Sequence, residues 1–210
     1  MRIAVIAASG KTGRKIVDEA VRRGFDVTAI TRKPTETGAQ HNLVKDIFEL
    51  TAEDLAGFDV VADAFGAWTP ETLPDHTRHL QHLAGILAGT PTRLIVVGGA
   101  GSLFVDEELT TQLKDTPDFP EAYKPIADAQ GAGLDFLRTA EGVNWTYLSP
   151  AADFQADGPA GAELFIGGEQ FTVDADGNST VSYADYARAL VDEIANPAHA
   201  GGKRFSVRNA

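Results

Sequence analysis

The chain opens on two hydrophobic periods in succession. Ile3-Ala4-Val5-Ile6 is an uninterrupted apolar run, and from Thr12 to Arg23 the apolar residues Ile16, Val17, Ala20 and Val21 fall on one helical face with charges opposite. Gly24 then supplies a helix stop, and Phe25-Asp26-Val27-Thr28-Ala29-Ile30 reads as a second strand. The rhythm continues: a short strand at Asn42–Lys45, a brief helix opening on the capping-box-like Thr51-Ala52-Glu53-Asp54-Leu55, and a strand over Asp59–Ala64. A helix from about Asp75 to Ala88 leads to Thr92–Gly99, a continuous apolar strand of the kind buried on both faces of a parallel sheet. The longest helix is expected over Tyr123–Glu141, and a sixth strand over Asn144–Leu148. Strands alternating with helices in this way imply right-handed crossovers and an α/β, Rossmann-type doubly wound parallel sheet with helices on both faces.

The last third breaks the alternation. Glu163–Ile166 and Gln170–Val173 flank Gly167-Gly168, which predicts a hairpin, and Ser182-x-x-Asp185 caps a helix running to about Ala195. Arg204–Val207 closes the chain as a short strand. The reading is one domain over residues 1–210: a cofactor-binding core to residue 150, and from 151 a small extension over the carboxyl ends of the strands that shapes a substrate pocket.

The turn after the first strand carries the first chemistry. Ala7-Ala8-Ser9-Gly10-Lys11-Thr12-Gly13 runs from strand into helix, where free N–H groups and the positive end of the helix dipole suit a phosphate. Gly10-Lys11-Thr12 matches the end of a P-loop, but that motif's first glycine would fall on Val5, inside the strand. The dinucleotide pattern G-x-x-G-x-x-G fits with alanine at its first position, as Ala7, Gly10 and Gly13; a structural turn with two glycines is the competing reading. An NAD-binding chain commonly places Asp or Glu at the end of the second strand to accept from the ribose hydroxyls. Here Thr31-Arg32-Lys33 stands there, and two cations pair with a 2′-phosphate, so NADP(H) is expected over NAD(H).

Composition narrows the partners. A net charge of -12 opposes nucleic acid and anionic membrane surfaces, and the absence of Cys removes disulfides, thiolate metal sites and cysteine nucleophiles. His76, His79 and His82 recur three apart without an H-E-x-x-H pattern, so an exposed helix face is expected rather than a metal site. With no signal peptide and no apolar run of membrane-spanning length, a soluble cytoplasmic monomer or homodimer acting on a small molecule is expected.

These motifs, with Ala64-Phe65-Gly66, Val97–Leu103, Leu148–Phe154 and the Ser182-Tyr183-Ala184-Asp185 helix start, resemble the atypical short-chain dehydrogenase/reductases. The similarity is greatest to NmrA-like and flavin reductase (biliverdin reductase B)-like NAD(P)H-binding proteins. The resemblance implies that Ser9, Gly10, Lys11 and Thr12 line the pyrophosphate, Arg32 and Lys33 hold the 2′-phosphate, and Asp46 and Ile47 flank the adenine. It implies that Phe65 and Gly66 lie along the cofactor, that Gly98, Gly99 and Ser102 lie near the nicotinamide, and that Pro150 and Ala151 border the carboxamide.

One departure limits the chemistry. Typical members use Y-x-x-x-K, in which the lysine lowers the tyrosine pKa, yet Tyr123 is followed at that offset by Ala127, while Lys124 is merely adjacent. Ser102 remains as a substrate-orienting hydroxyl, with Tyr123 or Lys124 assisting if the loop folds inward. Reduction of a flavin- or quinone-like acceptor needs little more, because its proton can come from solvent. A non-catalytic NADP(H)-binding sensor of the NmrA-like type, and a nicotinamide-dependent isomerase or epimerase, are the alternatives.

Overall fold

The computed structural model of the chain describes residues 1–210, and its first strand is an interior strand of the main sheet. β1 (Arg2–Ile6) lies between β2 (Asp26–Thr31) and β4 (Val60–Asp63) and is buried from Ile3 onward, as its lack of polar residues requires. The main sheet runs β3-β2-β1-β4-β5-β6-β10-β8, with β3 at His41–Val44, β5 at Arg93–Val97, β6 at Asn144–Ser149, β8 at Leu164–Gly167 and β10 at Lys203–Asn209. Every pairing is parallel except β10 with β8. Helix α1 (Lys11–Arg22) packs with α4 (Tyr183–Ala195) on one face, and α2 (Asp75–Leu87) with α3 (Lys124–Thr139) on the other.

Alternate strand residues feed two cores. Ile3 and Val5 join Ile16, Tyr186 and Leu190 on one face, and Ala4 and Ile6 join Leu83, Leu94 and Leu134 on the other. This period of two inside continuous apolar runs is what a doubly covered parallel sheet demands. No helix is long and apolar enough to cross a membrane.

Four expectations are corrected. Thr51 and Asp54 make the reciprocal capping bonds, with Thr51 N–H donating to Asp54 Oδ2 (2.7 Å), but Gly57 at φ +78 ends the segment as turns before a helix forms. The 163–173 hairpin is absent: β8 pairs antiparallel with β10, while Gln170 bridges to Phe104. A Gly-Gly signal specifies a turn, not a partner, and β10 offers the longer strand. Because β10 runs on to Asn209 and lies parallel to β6, the extension completes the sheet as well as lying over its end; a small parallel pair, β7 (Asp153–Gln155) with β9 (Thr180–Ser182), forms at that end.

The fourth correction concerns the histidines. His76 and His79 are buried, 5% and 2% exposed, because the apolar residues Leu80, Leu83 and Leu87 share their side of α2. Each ring meets a protein oxygen: His76 the Ala67 carbonyl (3.0 Å), His79 the Asp63 carboxylate (2.8 Å) and Asp75 carbonyl (2.7 Å), and His82 the Leu50 carbonyl (2.9 Å).

At the opposite, amino edge, Arg93 of β5 is buried and pairs with Glu193 of α4 while donating to Thr146 Oγ1 (2.7 Å). Burial alone would raise the Glu193 carboxyl, but hydrogen bonds from His199 and Arg93 outweigh it and leave it below its ordinary value. A carboxyl lowered in the folded state contributes stability above its unfolded value of about 4.5 and loses it as pH falls through the folded one. Glu193→Gln, which strands the buried guanidinium, should therefore cost about 3 kcal/mol at pH 7. In urea unfolding, that difference from wild type should narrow steadily below about pH 4.5.

Candidate NAD(P)H site

The carboxyl edge of the sheet collects the glycine turn and the ends of β2, β4, β5 and β6. Ala7 adopts φ +54, the left-handed conformation that the first glycine of the pattern would take freely. Its carbonyl accepts the Gly10 N–H (2.9 Å) and lies 2.4 Å from the point a Cβ on Gly13 would occupy, so α1 abuts the turn more closely than any side chain permits. Gly10 is the N-cap and offers no side-chain acceptor. The amides of Lys11, Thr12 and Gly13 consequently find no protein partner at the helix start, beside the exposed Ser9 and Lys11.

Cations gather beside this turn. Arg32 and Lys33 are exposed at the end of β2 and form no ion pair with any carboxylate. Arg14, which sequence reasoning passed over, donates from Nε to the Ser9 carbonyl (3.1 Å) and from Nη1 to the Glu36 carbonyl (3.2 Å), strapping the 32–36 loop to the turn. Asp46 caps the single 3-10 turn at Ile47–Glu49 by accepting from Phe48 N (3.0 Å), and Ile47 is buried beneath it.

Ala64 to Gly66 continue from β4. Asp63 Oδ1 accepts the Phe65 N–H (3.0 Å), its Oδ2 receives His79, and the Phe65 ring stacks on the His79 ring at 4.3 Å. His79 meets oxygen at both ring nitrogens, so a buried imidazole–carboxylate pair fixes this strip. A periodicity reading had no signal for it, since Asp63 and His79 are distant in sequence.

After β5, Gly98 passes over the Tyr147 ring, where a Cβ would come within 2.1 Å, and Gly99 donates its N–H to Tyr147 Oη (3.2 Å). Burial pushes the Tyr147 phenol up to about 12, so it stays neutral at neutral pH and supports the loop by accepting the Gly99 N–H. Pro150 and Ala151 are buried at the end of β6.

The three residues proposed from sequence for catalysis are not drawn together. Ser102 is buried beyond β5, and its Oγ accepts from Arg204 Nη1 (2.9 Å). Tyr123 is 62% exposed, Lys124 pairs with Glu121 (2.6 Å), and no hydrogen bond joins either to Ser102. The α3 residues that meet the Ser102 loop are Ala127, Gln130 and Gly131. A different cation arrives there: Lys114 Nζ lies 3.6 Å from the point a Cβ on Gly131 would occupy, Ser102 Cβ lies 3.8 Å from the same point, and Asp128 pairs with the ammonium at 2.7 Å. Its position follows from the Lys114 N–H bond to the Gly101 carbonyl (2.9 Å), which no local pattern encodes. A groove of about 590 Å³ between Arg138, Asn144, Trp145 and Gly202 opens at the amino ends of β6 and β10, away from all of these residues.

Because Ala7 holds a glycine's backbone angle, Ala7→Gly should raise the unfolding free energy by up to about 1 kcal/mol. Gly13→Ala should do the reverse and weaken cofactor binding, since α1 must retreat from the turn; thermal unfolding and cofactor titration report the two effects separately.

Comparison with known proteins identifies the family of this chain. A family model described as NAD(P)H-binding matches residues 7–197. The Bacillus subtilis (strain 168) protein YwnB is 47% identical over 210 residues, covering 99% of this chain and 98% of its own. A solved structure from Streptococcus pneumoniae TIGR4, described as "a putative NADH-flavin reductase", is 51% identical with a TM-score of 0.97 and full coverage of both chains. Another, a "putative epimerase" from Bacteroides thetaiotaomicron, is 34% identical with a TM-score of 0.86, covering 99% of this chain and 96% of that one. The glycine turn, the sheet order and these matches together place the chain in the NAD(P)H-binding family of atypical short-chain dehydrogenase/reductases.

Proposed function

We propose that the protein is an NADPH-dependent reductase of a flavin- or quinone-like small molecule. The observation that carries this reading is the pairing of a complete phosphate cradle with a Ser102 loop that meets Ala127 and Gly131 on α3, where no tyrosine–lysine pair stands. Such a site suits acceptors that need positioning more than acid catalysis. When bound, the nicotinamide supplies the hydride; the acceptor takes its proton from water. Around it, the α1 amides would hold the pyrophosphate, Asp63 and His79 would keep Phe65 and Gly66 in line, and Lys114 would set a positive charge beside Ser102. The description of the Streptococcus relative as a putative flavin reductase supports the acceptor class.

The NADPH preference rests on Arg32, Lys33 and the Arg14 strap at the end of β2, where no carboxylate stands to accept from ribose hydroxyls. The acceptor side has the opposite field. Segments 104–121 and 152–179, which leave the carboxyl ends of β5 and β6, carry twelve of the thirty carboxylates and one of the eighteen lysines and arginines. Backbone amides of Thr110 and Asn178 hold Asp106 and Asp174 below their ordinary range, which keeps both charged. An uncharged isoalloxazine or quinone is favoured there over one bearing a phosphate.

Loss of absorbance at 340 nm with NADPH and a panel of riboflavin, FMN and quinones tests the activity. Turnover is expected; tight NADPH binding with no oxidation across the panel would leave the sensor reading. Riboflavin should exceed FMN several-fold in kcat/KM at low salt, a margin that shrinks as screening shortens below about 10 Å above 0.1 M salt. Arg32→Ala should weaken NADPH about tenfold and NADH far less, by titration; equal losses would remove the 2′-phosphate argument.

A further inference from the structure

Arg204 belongs to β10 in the C-terminal extension, and its side chain is wholly buried. A buried guanidinium is costly unless its charge and donors are used. Here one nitrogen, Nη1, donates to both the carbonyl and the hydroxyl oxygen of Ser102, at 2.9 Å each. Nη2 donates to the Glu169 carbonyl (3.1 Å) and pairs with its carboxylate, which Arg138 of α3 also engages at 2.8 Å. Arg204 stands in register with Tyr147 on the neighbouring strand, whose hydroxyl accepts the Gly99 N–H. Two adjacent side chains thus anchor the Gly98–Ser102 loop from beneath, one at each end.

The direction of the Ser102 bond has a chemical consequence. A hydroxyl that accepts from a full cation keeps its own hydrogen for another partner, and the cation makes that O–H a stronger donor. Ser102 Oγ has no other partner in the protein. We propose that Arg204 is a positioning residue for the reaction: it fixes and polarises the Ser102 hydroxyl so that its hydrogen bond is donated to the acceptor as hydride arrives. The inference rests on the reductase reading above. Two electrons and one hydrogen reach the acceptor as hydride, negative charge develops on its nitrogen or oxygen, and the Ser102 O–H stabilises that charge while water supplies the balancing proton. Serine is not consumed or ionised, and Arg204 touches neither reactant.

The test is a double-mutant cycle with NADPH and riboflavin. Arg204→Met and Ser102→Ala should each lower kcat on the order of tenfold to a hundredfold, with NADPH affinity and riboflavin KM within about twofold of wild type. The double variant should be no slower than Ser102→Ala, and Arg204→Lys, which restores a cation, should recover part of kcat. Undiminished kcat in Arg204→Met, or full multiplication of the two losses, would overturn the proposal, since a merely structural arginine acts independently of the serine. If Arg204→Met does not fold, Arg204→Lys carries the same cycle: its loss of kcat must vanish in the Ser102→Ala background. If wild type fails to oxidise NADPH with every acceptor of the panel, it is the reductase reading that has failed. Hydrogen exchange then judges the anchor: Gly99 to Leu103 amides should exchange about tenfold faster in Arg204→Met than in wild type, and unchanged exchange would refute it.

Discussion

The approach of α1 to the end of β1 governs the rest of the molecule. The Ala7 carbonyl lies where a side chain on residue 13 would have to be, so strand, turn and helix form one tight corner, with three helix amides left without a protein partner. The corner stands at an interior position of the sheet, because β2 and β4 flank β1 on either side. Each neighbouring strand then ends at the same edge and adds its loop to the same cleft. The left-handed backbone of Ala7 is the local cost of this corner, on the order of 1 kcal/mol, and the buried apolar contacts of Ile3, Val5 and Ile16 sustain it.

Polar groups under the cleft serve a different purpose from the apolar core. Asp63 with His79, Tyr147 with Gly99, and Arg204 with Ser102 each join a buried side chain on the sheet or a helix to a backbone that passes over it. Apolar packing is non-directional and could not hold a loop to a fraction of an ångström; hydrogen bonds to buried polar groups can, provided the charged ones are compensated. The compensation is visible in Glu169, which binds Arg204 and Arg138 together, and in the imidazole that meets Asp63.

Function divides along the chain as the fold does. The end of β2 carries the adjacent cations Arg32 and Lys33, whereas the loops after β5 and β6 are almost without cations. The C-terminal extension contributes more than a cover, since β10 enters the main sheet beside β6 and brings Arg204 beneath the serine loop.

The fold was legible because its signals are local. A continuous apolar run, an amphipathic helix and a Gly-bearing turn between them specify strand, crossover and phosphate turn within a few residues of one another, and Ser182 caps α4 from the spacing alone. The pairing of Leu164–Gly167 was not legible, since a strand's partner depends on which distant strand presents a free edge. Nor was the inward face of α2: histidine has an apolar ring and polar tips, and only the placement of Asp63, Ala67 and Leu50 opposite made burial favourable. The same limit applies to Lys114 and Arg204, which reach Ser102 from separate parts of the chain. The sequence by itself determined the parallel strands up to β6, their crossovers and the turn suited to a dinucleotide phosphate, because short-range sterics and periodicity decide those. Tertiary structure decided which charges surround the serine, because desolvation and hydrogen-bond geometry act only once distant segments meet.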